Sequence, residues 1–292
     1  MFLLVSCILV FCLSSIGTKE FGRRFPGGLP GVTIQNAIAI TVISLLMLIL
    51  GGAKPMSAPL FGLAAAYSVV YLGAIFSLVF ALLCGPMGTT ALIGNLGTVL
   101  SVFYGTLFCG EKLTAFNVCG AACLIAVAIL CRPGGEKQTS EGRQQSRWFA
   151  LTLLLSLGNG ILACLKKSLG VNYPDLPTAQ FMFWAYSFAA LICWGLFAAQ
   201  WARGEHFKAW LSRPGALVAC AATSGLGSGG GSFLQIGALK TLPTIVVFPC
   251  CTGLIPVVLM LISVYVFKET KLTAKSVLAL ALCGVGAVLM NL

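Results

Sequence analysis

Charge is what this chain of 292 residues has least of: 9% of its residues are charged, against roughly 25% in a soluble domain. Acidic side chains are the scarcest. The seven are Glu20, Glu111, Glu136, Glu141, Asp175, Glu205 and Glu269, too scattered to hold a catalytic metal at a membrane surface. None lies deep inside an apolar run, so proton coupling through a buried carboxylate has no group to carry it. The one histidine, His206, falls in a polar loop, and the thirteen cysteines contain no C-x-x-C, which leaves almost no material for a Cys/His zinc site. Nearly all the cysteines lie inside apolar runs and read as small hydrophobes. No G-x-x-x-x-G-K-[ST] occurs, so ATP hydrolysis by this chain is excluded. No cofactor or metal is expected.

Apolar residues are what the chain has in plenty, at 59%. Windows near 20 residues long recur from end to end, each able to cross a hydrocarbon core about 30 Å thick. Ten such windows fall at about 2–18, 34–52, 58–83, 87–109, 114–131, 148–169, 177–201, 215–239, 244–266 and 273–291. The reading is an all-α polytopic membrane protein with ten transmembrane helices, integral and multi-pass, of the bacterial inner-membrane kind. The first window has no basic region before it and no small-residue cleavage site after it, and reads as a retained helix rather than a signal peptide. The net charge of +11 would suggest nucleic acid in a soluble protein. Here the basic residues sit between apolar runs, so their partners are lipid headgroups and no nucleic acid is expected.

The chain also repeats itself. KLTAFNV (Lys112–Val118) returns as KLTAKSV (Lys271–Val277), 159 positions later and with five of seven residues identical. ALLCGP (Ala81–Pro86) pairs with ALKTLP (Ala238–Pro243), and KEFGRRFP (Lys19–Pro26) with KSLGVNYP (Lys167–Pro174), in the same order. Residues 1–131 form a first five-helix repeat, 132–147 a polar linker, and 148–292 a second repeat. An odd number of crossings per copy leaves the second copy upside down, the inverted-repeat architecture of secondary transporters. It puts Glu111 and Glu269 on opposite membrane faces. Loops after the odd-numbered windows carry 13 basic residues and the other loops 5, which places both termini outside if the positive-inside rule is applied literally. Thr114 and Thr273 stand where they can cap the last helix of each half. Lys19 and Lys167, equivalent in the alignment, are expected to terminate their helices.

The segments FCGEKLTAFNVCGAACLIAVAIL (Phe108–Leu130) and FKETKLTAKSVLALALCGVGAVLM (Phe267–Met290) resemble the EamA-like transporters of the drug/metabolite transporter superfamily, as do the two A-L-x-x-x-P motifs. The resemblance covers essentially the whole chain. It departs in a one-residue insertion at Glu269–Lys271, a sparsely charged loop at 51–57, and the charge bias, since members more often have cytoplasmic termini. The resemblance implies a ten-helix carrier of small metabolites, often an exporter, with a cavity lined by helices 1, 3, 4, 6, 8 and 9. Its motifs mark fold and choose no substrate; amino acids, sugars, nucleotide-sugars and drugs all remain open.

Large polar side chains inside apolar runs are costly, and face either a bundle interior or a watery cavity. The candidates are Asn95 in GNLG, Tyr67 and Tyr71 one turn apart, Asn159, Lys166, Ser228 and Gln235. Each could equally make an ordinary interhelical hydrogen bond, worth about 1 kcal/mol or less. Lys166 facing a cavity would favour an anionic group, whereas Lys167 reads as a snorkelling side chain. The run SGLGSGGGS (Ser224–Ser232) allows either close helix approach or a locally unwound helix that exposes backbone to substrate. Expected partners are a small-molecule substrate and membrane lipids, with the chain a monomer or homodimer. The competing classes are a membrane enzyme acting on lipid-linked substrates and a non-transporting subunit. Ser228 lacks the G-x-S-G context and intramembrane histidine of a rhomboid protease, and a non-transporting subunit gives no reason for an inverted repeat.

Overall fold

The computed structural model describes residues 2–26, 28–108, 113–132, 140–173, 175–204, 207–241, 244–269 and 273–290, in twelve helices and, among those residues, no strand. Glu111, Lys112, His206 and Lys271 lie outside the described residues, as do 133–139 of the linker and the side chain of Lys167. Six stretches are long and apolar enough to cross a membrane: Val5–Arg24, Leu29–Gly51, Ala58–Cys84, Met87–Phe108, Gly142–Lys166 and Thr178–Ala202. The protein is therefore a helical, multi-pass membrane protein. Shorter apolar helices cover Ala115–Leu130, Gly253–Tyr265 and Ala274–Leu289.

The chain divides into two compact units, and each takes segments from both sequence halves. One comprises residues 2–79 and 175–236. It holds α1 (Phe2–Arg24), α2 (Leu29–Gly51), most of α3 (Ala58–Cys84), α8 (Thr178–Ala202), α9 (Lys208–Leu211) and most of α10 (Pro214–Thr241). Here α2 and α8 run antiparallel. Thr33 near the start of α2 accepts from Nε2 of Gln200 near the end of α8 (3.0 Å), Ser44 meets Ser187 in the middle (2.8 Å), and Gly51 packs against Ala179 and Gln180. Helix α1 runs on past Lys19 to Arg24, where Glu20 and Arg24 pair at 2.6 Å one turn apart. That pair lets the helix continue into polar surroundings, so Lys19 does not end it.

The glycine run of α10 is continuous helix, not an unwound segment. A Cβ on Gly225 would run into the carbonyl of Ala39 on α2, and one on Gly227 into the backbone nitrogen of Ser14 on α1. One on Gly229 would come within 2.8 Å of Ile43, and one on Gly231 within 2.7 Å of the Phe11 ring. Missing side chains thus let α1 and α2 approach α10 to backbone distance, where dispersion and small-residue packing replace the hydrophobic effect as the force between helices.

The second unit comprises 80–174 and 237–292. It holds α4 (Met87–Gly94), α5 (Gly97–Phe108), α6 (Ala115–Leu130), α7 (Ser140–Asn172), α11 (Thr244–Tyr265) and α12 (Ala274–Leu289). Helix α7 begins inside the polar linker and continues beyond Lys167 to Asn172, so that lysine does not mark its end either. The repeated K-L-T-A phrase does the same local work twice. Thr114 accepts from the Asn117 amide at 3.2 Å in a capping box, and Thr273 from the Ser276 amide at 3.2 Å. The two capped helices pack antiparallel on each other: Asn117 donates to the Met290 carbonyl (3.1 Å), Gly120 abuts Gly286, and Lys275 lies near Cys131 at the far end. Leu124, Val127, Ala279 and Cys283 fill the seam.

Glu269 gives the acidic member of the second K-E-T-K-L-T segment a structural role. Its Oε2 accepts from the Met87 amide at the start of α4 (3.0 Å) and from the Ser263 hydroxyl (2.9 Å). Pro86, at the N-cap position of α4, supplies no side-chain cap of its own. The carboxylate therefore caps that helix from outside and meets the positive end of its dipole. Glu269→Ala is expected to destabilise the protein by about 1–2 kcal/mol, read as a lower thermal midpoint, with Glu269→Gln losing less.

Candidate functional site

Four of the seven candidate residues share the first unit. Tyr67 and Tyr71 on α3 stack along one face (centroids 6.4 Å, 11° between planes), and Tyr186 of α8 meets Tyr71 edge-on at 5.1 Å. The Tyr71 hydroxyl lies 3.4 Å from that of Ser228 on α10. Tyr186 reaches Ser232 and Tyr67, and Phe181 closes the far side of Tyr67 at 5.8 Å. Ser228, Ser232 and Gln235 recur at i, i+4 and i+7, so Gln235 shares the serine face of α10. The three tyrosine rings are buried and Ser228 is half-buried.

This cluster exists because α10 carries hydroxyls where it faces α3 and α8, and glycines where it faces α1 and α2. It offers aromatic faces and neutral hydroxyl donors and acceptors. It has no nucleophile paired with a base. Every buried polar side chain among the described residues is uncharged. Tyr186 escaped the sequence reading because YS in FMFWAYSFAALICW lies in a window of uniformly aromatic and aliphatic residues, with nothing to single it out.

Asn95, Asn159 and Lys166 belong to the other unit. The fourth apolar window is one span long but not one helix: α4 ends at Gly94 and α5 starts at Gly97. Across the break the amides of Leu96, Thr98 and Val99 bond three residues back, to Ile93, Asn95 and Leu96, at 3.0–3.1 Å. The turn is thus tightened to 3₁₀ geometry, and Asn95 occupies it. Its Nδ2 donates to the Cys283 sulfur at 3.6 Å, while Thr98 Oγ1 donates to the Asn95 carbonyl at 2.8 Å. The break coincides with backbone contact between α5 and α7: a Cβ on Gly97 would strike the Ser156 carbonyl and lie 2.7 Å from the Gly160 amide. Beside that contact on α7, Asn159 and Lys166 lie seven residues apart on one stripe, both exposed. At the head of the same helix Trp148 donates from Nε1 to Thr90 (2.9 Å) and its indole covers Gly85.

The seven residues therefore form two groups. Tyr67, Tyr71, Ser228 and Gln235 collect round a tyrosine–serine cluster; Asn95 sits at a helix break, with Asn159 and Lys166 on a neighbouring helix. Among the described residues no three His, Cys, Asp or Glu side chains converge as metal ligands would.

No family model matches the chain, and no curated protein matches it. Solved structures do match: a crystal structure described only as that of a protein is 16% identical, with a TM-score of 0.57, over 99% of this chain and 94% of its own. At that identity the likeness is one of fold alone.

Proposed function

We propose that this protein is a secondary carrier of small metabolites working by alternating access, built from ten transmembrane helices as two inverted five-helix repeats on the plan of the EamA-like drug/metabolite transporters. The observation that carries the reading is the antiparallel pairing of equivalent helices. The second window of each half (α2 and α8) and the fifth (α6 and α12) run in opposite directions, and each pair lies within its own unit. Two copies inserted the same way up would place such pairs parallel. Opposite insertion is what lets one half reproduce, on the other side of the membrane, the gate formed by its twin.

A helix interrupted at Asn95 within an apolar window adds to this, since broken helices are how such carriers expose backbone to a solute. The substrate is a small molecule carrying hydroxyl, amide or amino groups, moved by facilitation or exchange, in a cell membrane and by a monomer or homodimer. Uncharged partners in the tyrosine cluster support neutral groups, and exposed Lys166 supports an acidic one.

Reconstitution into liposomes with a panel of amino acids, sugars and nucleotide-sugars tests the reading. Protein-dependent, saturable flux of at least one class is expected. Chemical turnover of a lipid-linked substrate without flux would replace the carrier by a membrane enzyme.

A further inference from the structure

Helix α2 holds two adjacent amide side chains that the sequence reading passed over, Gln35 and Asn36, within the apolar stretch GVTIQNAIAITVI. They are 0% and 1% exposed. Both polar atoms of the Gln35 side chain, the Nδ2 of Asn36 and the Oε1 of Gln200 on α8 have no hydrogen-bond partner among the described residues. The four atoms belong to one unit, and Gln200 is tied to α2 through its bond to Thr33, one turn before Asn36. Around them the same helix pair satisfies its polar groups: Thr41 accepts from Trp194 (3.0 Å), Ser44 pairs with Ser187, and Gln180 donates to the Lys54 carbonyl (3.0 Å). The amides stand out against a seam that otherwise pairs what it buries.

A dry, unpartnered amide costs several kcal/mol when nothing polar replaces water, and apolar residues of the same size would avoid that cost. Native proteins keep such groups for ordered water, for a ligand, or for a second arrangement. The four atoms have almost no surface open to solvent in the arrangement described. We propose that Gln35 and Asn36 line a water-accessible passage for neutral, hydrogen-bonding solutes, shut here and opened in a second conformation of this unit. The donor and acceptor of each amide match hydroxyl and carboxamide groups, whereas a bare anion would use only the donor and a bare cation only the acceptor. The proposal rests on the carrier reading for the existence of that second conformation.

Gln35→Met tests it without a known substrate, because methionine has nearly the shape of glutamine and reports water through oxidation. The full-length protein in liposomes would be treated with dilute hydrogen peroxide and each methionine sulfoxide quantified by mass spectrometry. Met47, on the same helix and 0% exposed, is the internal standard for a site that stays dry. Oxidation at position 35 at least about tenfold faster than at Met47 is expected. Equal rates at the two positions would overturn the proposal. Asn36→Met provides the same comparison if the first variant loses its fold, which loss of protection at both Met47 and Met260 would reveal. A dry position 35 alongside protein-dependent flux sinks the passage and leaves the carrier; a wet position 35 without flux does the reverse.

Discussion

Gly227→Val is expected to destabilise the protein by about 3 kcal/mol or more, the upper range for overpacking, because the obstacle is backbone and cannot rotate aside. A Cβ at Gly227 meets the Ser14 nitrogen, with Ser14 Cα at 2.8 Å and the Leu13 carbonyl carbon at 2.9 Å. Relief requires α1 to lift from α10 along its length, which also weakens the Thr18–Ser224 bond (3.0 Å) and the contact of Cys7 with the Gly231 carbonyl (3.4 Å). Thermal unfolding in detergent reads the effect. Gly62→Ala is the control: nothing lies within 4 Å of its Cβ position, and it sits inside α3, so the stability should hold or rise by up to about 1 kcal/mol. A Gly227 variant as stable as the Gly62 variant would mean that the glycine run is not a packing surface.

The second large effect is on flux. Asn95→Leu is expected to reduce protein-dependent uptake at least about tenfold, equivalent to about 1.4 kcal/mol. Asn95 stands at the turn between α4 and α5, where the amides on either side already bond to nearer carbonyls. Its side-chain amide donates to the Cys283 sulfur. It marks the place where an apolar helix opens. Leucine is similar in size but has no amide, so it removes the polar group at the break while Gly94, Gly97 and the approach of α7 still hold the break itself. Unchanged uptake by the variant would detach the Asn95 side chain from transport.

How much of this was legible in the sequence differs from feature to feature. The helices follow the apolar windows closely, because a membrane leaves the backbone few other ways to satisfy its hydrogen bonds. The caps at Thr114 and Thr273 were legible for a local reason: a cap needs only the residues beside it. Tyr67 and Tyr71 share a face, as helical spacing requires. Tyr186 and the amides of α2 were not legible, since their meaning depends on which helix lies opposite. Nor was the composition of the two units: each combines helices from both halves, and chain order cannot reveal that partnership. The break at Asn95–Leu96 lacks the proline that usually announces one. It follows instead from two glycines, Gly94 and Gly97, and from the close approach of α7 at Gly160. At Lys19 and Lys167 charge ends only the apolar part of the helix, which itself runs on to Arg24 and Asn172.

The central claim is that the two halves are inserted in opposite senses, and topology labelling tests it most directly. Phe116 and Lys275 occupy equivalent positions in the first turns of α6 and α12, 159 residues apart, and both are exposed. Each would be replaced by cysteine, singly, in a background with the native cysteines removed, and treated in sealed vesicles with a membrane-impermeant thiol reagent. The account predicts that one position is labelled from outside and the other only after the vesicles are opened. Labelling of both from the same side would contradict it.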